Sequence, residues 1–133
     1  MCSSDLNTPW RNGELVAASV AAATMIYGGH MVGLNASGLA VPASASATLT
    51  IFGVSDEYAD NTAGAAGATS VMVRRGKAWK LANLSGDAVT QADVGKSCYV
   101  ADSITVAKTS NTNVRPVAGT VIAVESDGVW VEI

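Results

Sequence analysis

The alternation of apolar and polar residues is clearest in the C-terminal run, residues 115–133. Asp127-Gly128 follows one β-branched run and precedes another, which predicts a tight hairpin centred on residues 126–128. The second run alternates with a period of two, as a half-buried strand does. Its apolar face carries Val129, Val131 and Ile133, and its other face carries Trp130 and Glu132. We therefore expect Ile133 to lie in the core.

The first run of this hairpin is apolar on both faces. Strict alternation places Val117, Val121 and Ala123 on one face and Ala118, Ile122 and Val124 on the other. This pattern predicts a strand that is covered on both sides, either by a folded-over sheet or by a neighbouring subunit.

Further short apolar runs, separated by turn residues, continue toward the N-terminus. We expect one hairpin to join residues 31–34 and 39–41 through Asn35-Ala36-Ser37-Gly38, and another to join residues 70–73 and 77–82 around Arg75-Gly76. Residues 48–54, 97–101 and 104–107 are further predicted strands, residues 55–69 a long loop, and residues 109–113 a polar loop. Residues 14–23 fit either helix or strand. This spacing is typical of a small all-β barrel or sandwich, here a single domain over residues 14–133.

Residues 1–13 are rich in turn residues and predict an extended N-terminal arm. Its Pro9, Trp10 and Arg11 are candidate interface residues, because proline bars a regular ladder and tryptophan suits docking. Cys2-Ser3-Ser4-Asp5-Leu6 matches the peptide that the end of a common sequencing adapter would encode. We therefore give residues 1–6 no functional weight.

Composition favours a protein covered by partners. Only 14% of the 133 residues are charged, against about a quarter in ordinary domains, and such a surface keeps a free monomer poorly dispersed. A net charge of −3 provides no footprint for nucleic acid.

No run is long enough to span a bilayer, and residues 15–27 lack the basic front end of a signal peptide. Two cysteines make no disulfide framework, and Cys98 is expected to be a small buried apolar residue.

The candidate chemistry is sparse. His30 is the only histidine and cannot form a metal cluster by itself. Asp56, Glu57 and Asp60 could ligate a hard cation through oxygen, but they lack EF-hand spacing, so a solvated acidic loop is preferred. Gly95-Lys96-Ser97 lacks the upstream glycine of a phosphate-binding loop. We therefore predict no catalytic residue, no metal site and no cofactor.

Trp79 and Trp130 are the remaining large side chains of interest. Each lies on a predicted hairpin and is bordered by charge, and tryptophan is enriched at interface hot spots. Both are candidate interface residues. Trp130 fits either the core or a subunit contact.

The order of motifs resembles a known family. The motifs are Met31-Val32-Gly33-Leu34-Asn35 with Ser37-Gly38, Val41-Pro42-Ala43, Ile51-Phe52-Gly53-Val54 before the acidic loop, Val71-Met72-Val73-Arg74-Arg75-Gly76, Asp93-Val94-Gly95-Lys96 with Cys98-Tyr99-Val100, Thr105-Val106-Ala107-Lys108, Ala118-Gly119 and Gly128-Val129-Trp130-Val131-Glu132-Ile133. In this respect the chain is similar to the small cement, or decoration, proteins encoded beside the major capsid gene of tailed bacteriophages. The resemblance covers residues 14–133, and the arm lies outside it.

The resemblance implies a β-barrel or sandwich that binds the outside of the capsid shell, commonly as a homotrimer, and clamps adjacent capsomers. Its partners would be the major capsid protein and its own copies, without nucleic acid or membrane. It would be made in the host cytoplasm and end in the virion. The alternative is a carbohydrate- or cell-surface-binding β-module of a phage structural protein, which an exposed aromatic platform would favour. A small hydrolase using Asp56, Glu57, Asp60 and His30 has less support.

Overall fold

A computed structural model describes residues 7–9, 11 and 13–133. The protein is all-β, as the sequence predicts. Its strands are β1 (Leu15–Ser19), β2 (Thr24–Ile26), β3 (Met31–Leu34), β4 (Ala40–Pro42), β5 (Thr50–Ser55), β6 (Ala59–Asn61), β7 (Ser70–Arg74), β8 (Ala78–Asn83), β9 (Ser97–Asp102), β10 (Thr105–Ala107), β11 (Val117–Glu125) and β12 (Gly128–Glu132). Two three-residue 3-10 helices, Ser85–Asp87 and Gln91–Asp93, lie between β8 and β9.

The N-terminal half forms a five-stranded antiparallel sheet in the order β1-β7-β5-β3-β4. The short β2–β6 ladder packs over it, because Ile26 and Ala59 join the same core as the sheet residues Val32, Val71 and Val73. Five of the ten residues 14–23 form β1, so the ambiguous segment contains a strand and no helix.

The C-terminal half forms a closed barrel in the order β10-β8-β12-β11-β9, completed by the β9–β10 pair. Its core includes Val100, Val106, Val121, Val129 and Val131, all at most 1% exposed. Met31 and Val54 from the first sheet, and Ala43 directly after β4, belong to this core as well, so the sheet and the barrel are packed together.

The hairpins predicted at residues 31–41 and 117–132 are confirmed. In the first, the Asn35 side-chain oxygen accepts hydrogen bonds from the amides of Ser37 (2.9 Å) and Leu39 (3.0 Å). Gly38 has a φ of 75°, which favours glycine. The turn is therefore closed by the residues that predict it in the sequence, the asparagine side chain and the glycine.

The predicted hairpin around Arg75-Gly76 is wrong. Both strands form, but β7 pairs with β1 and β5 in the sheet, whereas β8 pairs with β10 and β12 in the barrel. Gly76, with a φ of 73°, bends the chain from one half to the other, and its amide donates to the Ile133 carbonyl at 2.9 Å. The packing of each strand against distant partners outweighs the local turn signal, since strand pairing depends on tertiary context.

The predicted loop of residues 55–69 contains a strand, β6, that pairs with β2. Asn61 ends this strand at 3% exposure, and its amide donates to the carbonyls of Ala21 (2.9 Å) and Ala65 (3.0 Å). A three-residue strand shows too little alternation to be recognised in sequence, and the remainder of the segment is turn and bend as expected.

The polar loop predicted over residues 109–113 is present and carries three consecutive residues with positive φ: Asn111, Thr112 and Asn113. An ionic network supports it, because the Asp87 carboxylate accepts hydrogen bonds from the Thr109 hydroxyl (2.6 Å) and the Arg115 guanidinium (2.8 Å). The left-handed conformation is costly outside glycine, so this network holds the loop in place.

Candidate functional site

The C-terminal hairpin places Trp130 on the outer face of the barrel. Val129 and Val131 point into the core and are completely buried, which confirms the predicted faces of β12. Trp130 lies opposite Ala123 of β11 on one side and Lys80 of β8 on the other. Its indole is partly buried, so the side chain lines the barrel surface rather than its interior.

Strand β11 is not covered on both sides within this chain, so the folded-over sheet considered for it is wrong. Two bulges shift its register, one between Val117 and Gly119 and one between Val121 and Ala123. The extra residues change which side chains face inward, and the buried positions become Ala118 and Val121. The two apolar faces seen in the sequence therefore arise because each bulge shifts the inward-facing positions by one residue along β11.

The bulges also leave large apolar side chains in solvent. Ile122 is 46% exposed and directly precedes Ala123, the residue that pairs with Trp130. The Val94–Lys96 segment lies alongside, held by a 2.8 Å hydrogen bond from the Gly95 amide to the Val121 carbonyl, and Val94 is 37% exposed. We call the group of Ile122, Ala123 and Trp130 the barrel patch.

A lysine and two carboxylates border the barrel patch. Lys80 Nζ lies 2.8 Å from Asp127 and 4.0 Å from Glu125. The hydrogen bond from Lys80 to Asp127 lowers the pKa of that carboxyl and raises the pKa of the Lys80 amine. Lys80 and Asp127 thus form an ion pair beside the patch, while the Glu125 carboxylate leaves one unit of negative charge there.

The other predicted interface residues lie elsewhere. Trp79 is on the inward face of β8 with Leu81 and packs against the barrel core. Pro9 and Arg11 are exposed, and Trp10 lies outside the described residues. The sequence identified these side chains, but the fold does not bring Trp79 to the surface that carries Trp130.

An open groove of about 730 Å³ runs between the sheet and the barrel. Its walls include Leu49, Ile51, Arg75, Val117 and Ile133. The Arg75 amide donates to the Glu14 carbonyl at 2.7 Å, so Glu14 lies beside this groove.

The residues considered for chemistry are held in separate contacts. Asp56 pairs with Arg74 at 3.2 Å, a Glu57 oxygen accepts the Met72 amide at 3.1 Å, and Asp60 accepts the Thr62 amide and hydroxyl. His30 Nδ1 lies 2.8 Å from the Ser103 hydroxyl. Over residues 7–9, 11 and 13–133, no three His, Cys, Asp or Glu side chains are grouped so as to hold a metal ion.

Tyr27 and Tyr58 are exposed aromatic residues that the sequence pattern did not single out. They lie 5.8 Å apart between ring centroids, at the end of the β2–β6 ladder. An available signal was the position of each tyrosine at a turn, Tyr27 before Gly28-Gly29 and Tyr58 after Asp56-Glu57. Their proximity depends on a strand pairing that the sequence did not reveal.

No family model, no curated protein and no solved structure matches this chain. Among the described residues, no helix has the length and apolar character needed to cross a bilayer.

Proposed function

We propose that the protein is a bacteriophage capsid decoration, or cement, protein. In this role it binds the outside of the assembled major-capsid shell, as a homotrimer, and clamps adjacent capsomers. It is made in the host cytoplasm and acts in the virion.

The observation that carries this proposal is the barrel patch. Ile122 is exposed next to Ala123, the register partner of Trp130 on a closed barrel, and the Lys80–Asp127 ion pair lies beside them. An exposed apolar group around an aromatic residue is typical of a surface that a partner covers. The low content of charged residues agrees with a protein whose surface is largely occupied by neighbours.

The groove and the arm supply a second means of attachment. The arm precedes Glu14, which lies beside a groove lined by apolar side chains and Arg75. An extended segment can bind such a groove on a neighbouring subunit through main-chain contacts and a few side-chain anchors. Binding of this kind requires no catalytic group.

A protein that binds only the assembled lattice stabilises that lattice by mass action. Many copies on one shell multiply the effect, because each capsomer is held by several weak contacts at once. Modest patches such as the one around Ile122 are therefore sufficient for cementing.

The direct test is co-sedimentation with shells assembled from the major capsid protein whose gene lies nearest to the gene for this chain. We expect the protein to pellet with expanded shells and to raise the temperature at which they disrupt. Ile122→Glu should reduce pelleting, since it places a charge in the barrel patch.

The matched control is Ile104→Glu. Ile104 precedes β10 and is 47% exposed, against 46% for Ile122, but it is not part of the barrel patch. It should pellet like the unmodified protein. Failure of the unmodified protein to pellet at micromolar concentration, or equal loss in both variants, would contradict the proposal.

A further inference from the structure

Two tyrosine rings lie side by side in solvent at the end of the β2–β6 ladder. Tyr27 is 54% exposed and Tyr58 is 55% exposed, and their planes are inclined at 40°. The His30 ring lies 5.6 Å from the Tyr27 ring, centroid to centroid. We call Tyr27 and Tyr58, with His30 at their edge, the tyrosine platform.

The register of the ladder explains why the tyrosines face outward. Ile26 pairs with Ala59, and both are buried against the five-stranded sheet. Neighbouring positions along a strand point to the opposite side, so Tyr27 and Tyr58 face solvent. The Tyr58 hydroxyl reaches the Met25 sulfur at 3.5 Å, which ties its ring to the same outer face.

A buried serine fixes the turn that carries Tyr27 and His30. Ser55 is 3% exposed, and its hydroxyl donates to the Tyr27 carbonyl and accepts the His30 amide at 3.3 Å. The Ser55 carbonyl accepts a hydrogen bond from the Gly29 amide, and the Ser55 amide donates one to the His30 carbonyl, both at 2.9 Å. The turn is thus preorganised, which lowers the entropic cost of binding a ligand there.

A carboxylate borders the platform. One oxygen of Asp60 accepts hydrogen bonds from the Thr62 hydroxyl (2.7 Å) and amide (3.0 Å), and these bonds lower the pKa of Asp60. Partial desolvation, followed by the nearby Asp60 charge, raises the pKa of the Tyr58 hydroxyl. The platform therefore combines two aromatic faces with an ionised acceptor whose orientation is fixed.

The size of the platform indicates its class of ligand. Two half-exposed tyrosine side chains offer on the order of 200 Å² of surface. A stable protein interface buries about 800 Å² on each partner, so the platform alone suits a smaller ligand. The rings contact each other at 5.8 Å, which leaves no gap between them to enclose a cation as an aromatic cage does.

We propose that the tyrosine platform binds a neutral saccharide. The apolar C–H face of a pyranose ring would stack on Tyr27 and Tyr58, and a sugar hydroxyl would donate to Asp60. Aromatic stacking with a few fixed polar groups is the usual composition of a small-molecule site. This site is separate from Trp79 and Trp130, and it does not depend on the proposed role in the capsid.

The test is an array that carries neutral, acidic and cationic glycans, followed by calorimetric titration with the neutral oligosaccharide that gives the strongest signal. We expect a neutral glycan to bind. Tyr27→Ala and Tyr58→Ala should each weaken binding about tenfold or more, as loss of an anchor does. Tyr58→Phe keeps the aromatic face and should retain most of the affinity. Circular dichroism would confirm that each variant is folded.

Trp130→Ala is the control that separates the two aromatic surfaces, and it should leave saccharide affinity unchanged. The proposal is overturned if no neutral glycan binds, if only cationic probes such as choline bind, or if Trp130→Ala abolishes binding while both tyrosine variants retain it. Tyr27→Ala should still pellet with capsid shells. A failure of saccharide binding is therefore distinguishable from a failure of the capsid proposal.

Discussion

The indole Nε1 of Trp130 donates a 2.7 Å hydrogen bond to the Glu125 carboxylate, across the C-terminal hairpin. This bond ties the indole to the β11–β12 hairpin, and Trp130 lies between β8 and β11 in the barrel. The polar atom of Trp130 is satisfied inside the chain, and its apolar surface remains available to a partner.

Replacing Trp130 by Ala should leave the barrel folded, because Val129 and Val131 supply the core contacts of β12. We expect a loss of about 1–2 kcal/mol in the free energy of unfolding, since the side chain is only partly buried. Binding to capsid shells should weaken by about 2 kcal/mol, roughly thirtyfold.

Trp79→Ala is the contrasting variant and should cost about 3 kcal/mol in stability, because Trp79 packs on the core. Denaturant unfolding and pelleting measure both effects, and equal stability losses would contradict the assignment of faces.

Removing residues 1–13 should leave the melting temperature nearly unchanged. The Arg75 amide contacts the Glu14 carbonyl, which the shortened chain retains, and Pro9 and Arg11 are exposed. Shell binding should weaken, because the segment available to a neighbouring groove is gone. Thermal melting and pelleting of the shortened protein test the prediction. A shortened protein that does not fold would place the arm in the core.

Gly119→Ala should destabilise the barrel by about 3 kcal/mol. A Cβ at this position would lie 2.2 Å from the Glu132 carbonyl oxygen, and main-chain atoms of a paired strand cannot move aside without breaking the ladder. Gly86→Ala is the control, since a Cβ there meets no atom within 4 Å, and it should change stability by less than about 0.5 kcal/mol. Urea titration of both variants measures the difference. Equal midpoints would show that β11 and β12 separate more easily than their register indicates.

The protein should lose stability as the pH falls below about 4. Hydrogen bonds from the Thr109 hydroxyl and amide, with the Arg115 guanidinium, lower the pKa of Asp87 despite its partial burial. A carboxyl whose pKa is lower in the folded state stabilises the fold above its unfolded pKa, and this contribution is lost as pH falls through the folded pKa. Asp87→Asn should lower the melting temperature at pH 7 and reduce its further fall on acidification.

Asp127→Asn is the matched control for the acid effect. Its side chain is 68% exposed, against 24% for Asp87, and solvent screens its pair with Lys80. We expect a smaller change in melting temperature at every pH. A larger effect in this variant than in Asp87→Asn would contradict the ranking of the two ion pairs.

Cys98 should be inert toward alkylating reagents in the folded protein. It is completely buried, and burial raises the pKa of its thiol to about 11, so the reactive thiolate is scarce at neutral pH. Iodoacetamide at pH 8 should modify the peptide containing Cys98 only after denaturant is added, as followed by mass spectrometry. Rapid modification without denaturant would indicate that β9 opens locally.

Structural elements that depend only on neighbouring residues could be predicted from the sequence alone. Asn35 and Gly38 close the first hairpin through their own turn chemistry, and the period of two in β12 assigns Val129 and Val131 to the core. These features involve residues close together in the chain, where backbone preference and alternation act directly. The all-β class and the burial of Cys98 follow from the same local patterns.

Only the tertiary structure decided which strands pair across long separations. Strands β7 and β8, on either side of Gly76, belong to different sheets. Strand β2 pairs with β6, which lies more than thirty residues later in the chain. The bulges of β11 change the phase of its apolar residues, which exposes Ile122, and the β2–β6 pairing brings Tyr27 beside Tyr58. Such pairings are chosen by the total apolar surface they bury, a property of the whole fold that no local periodicity contains.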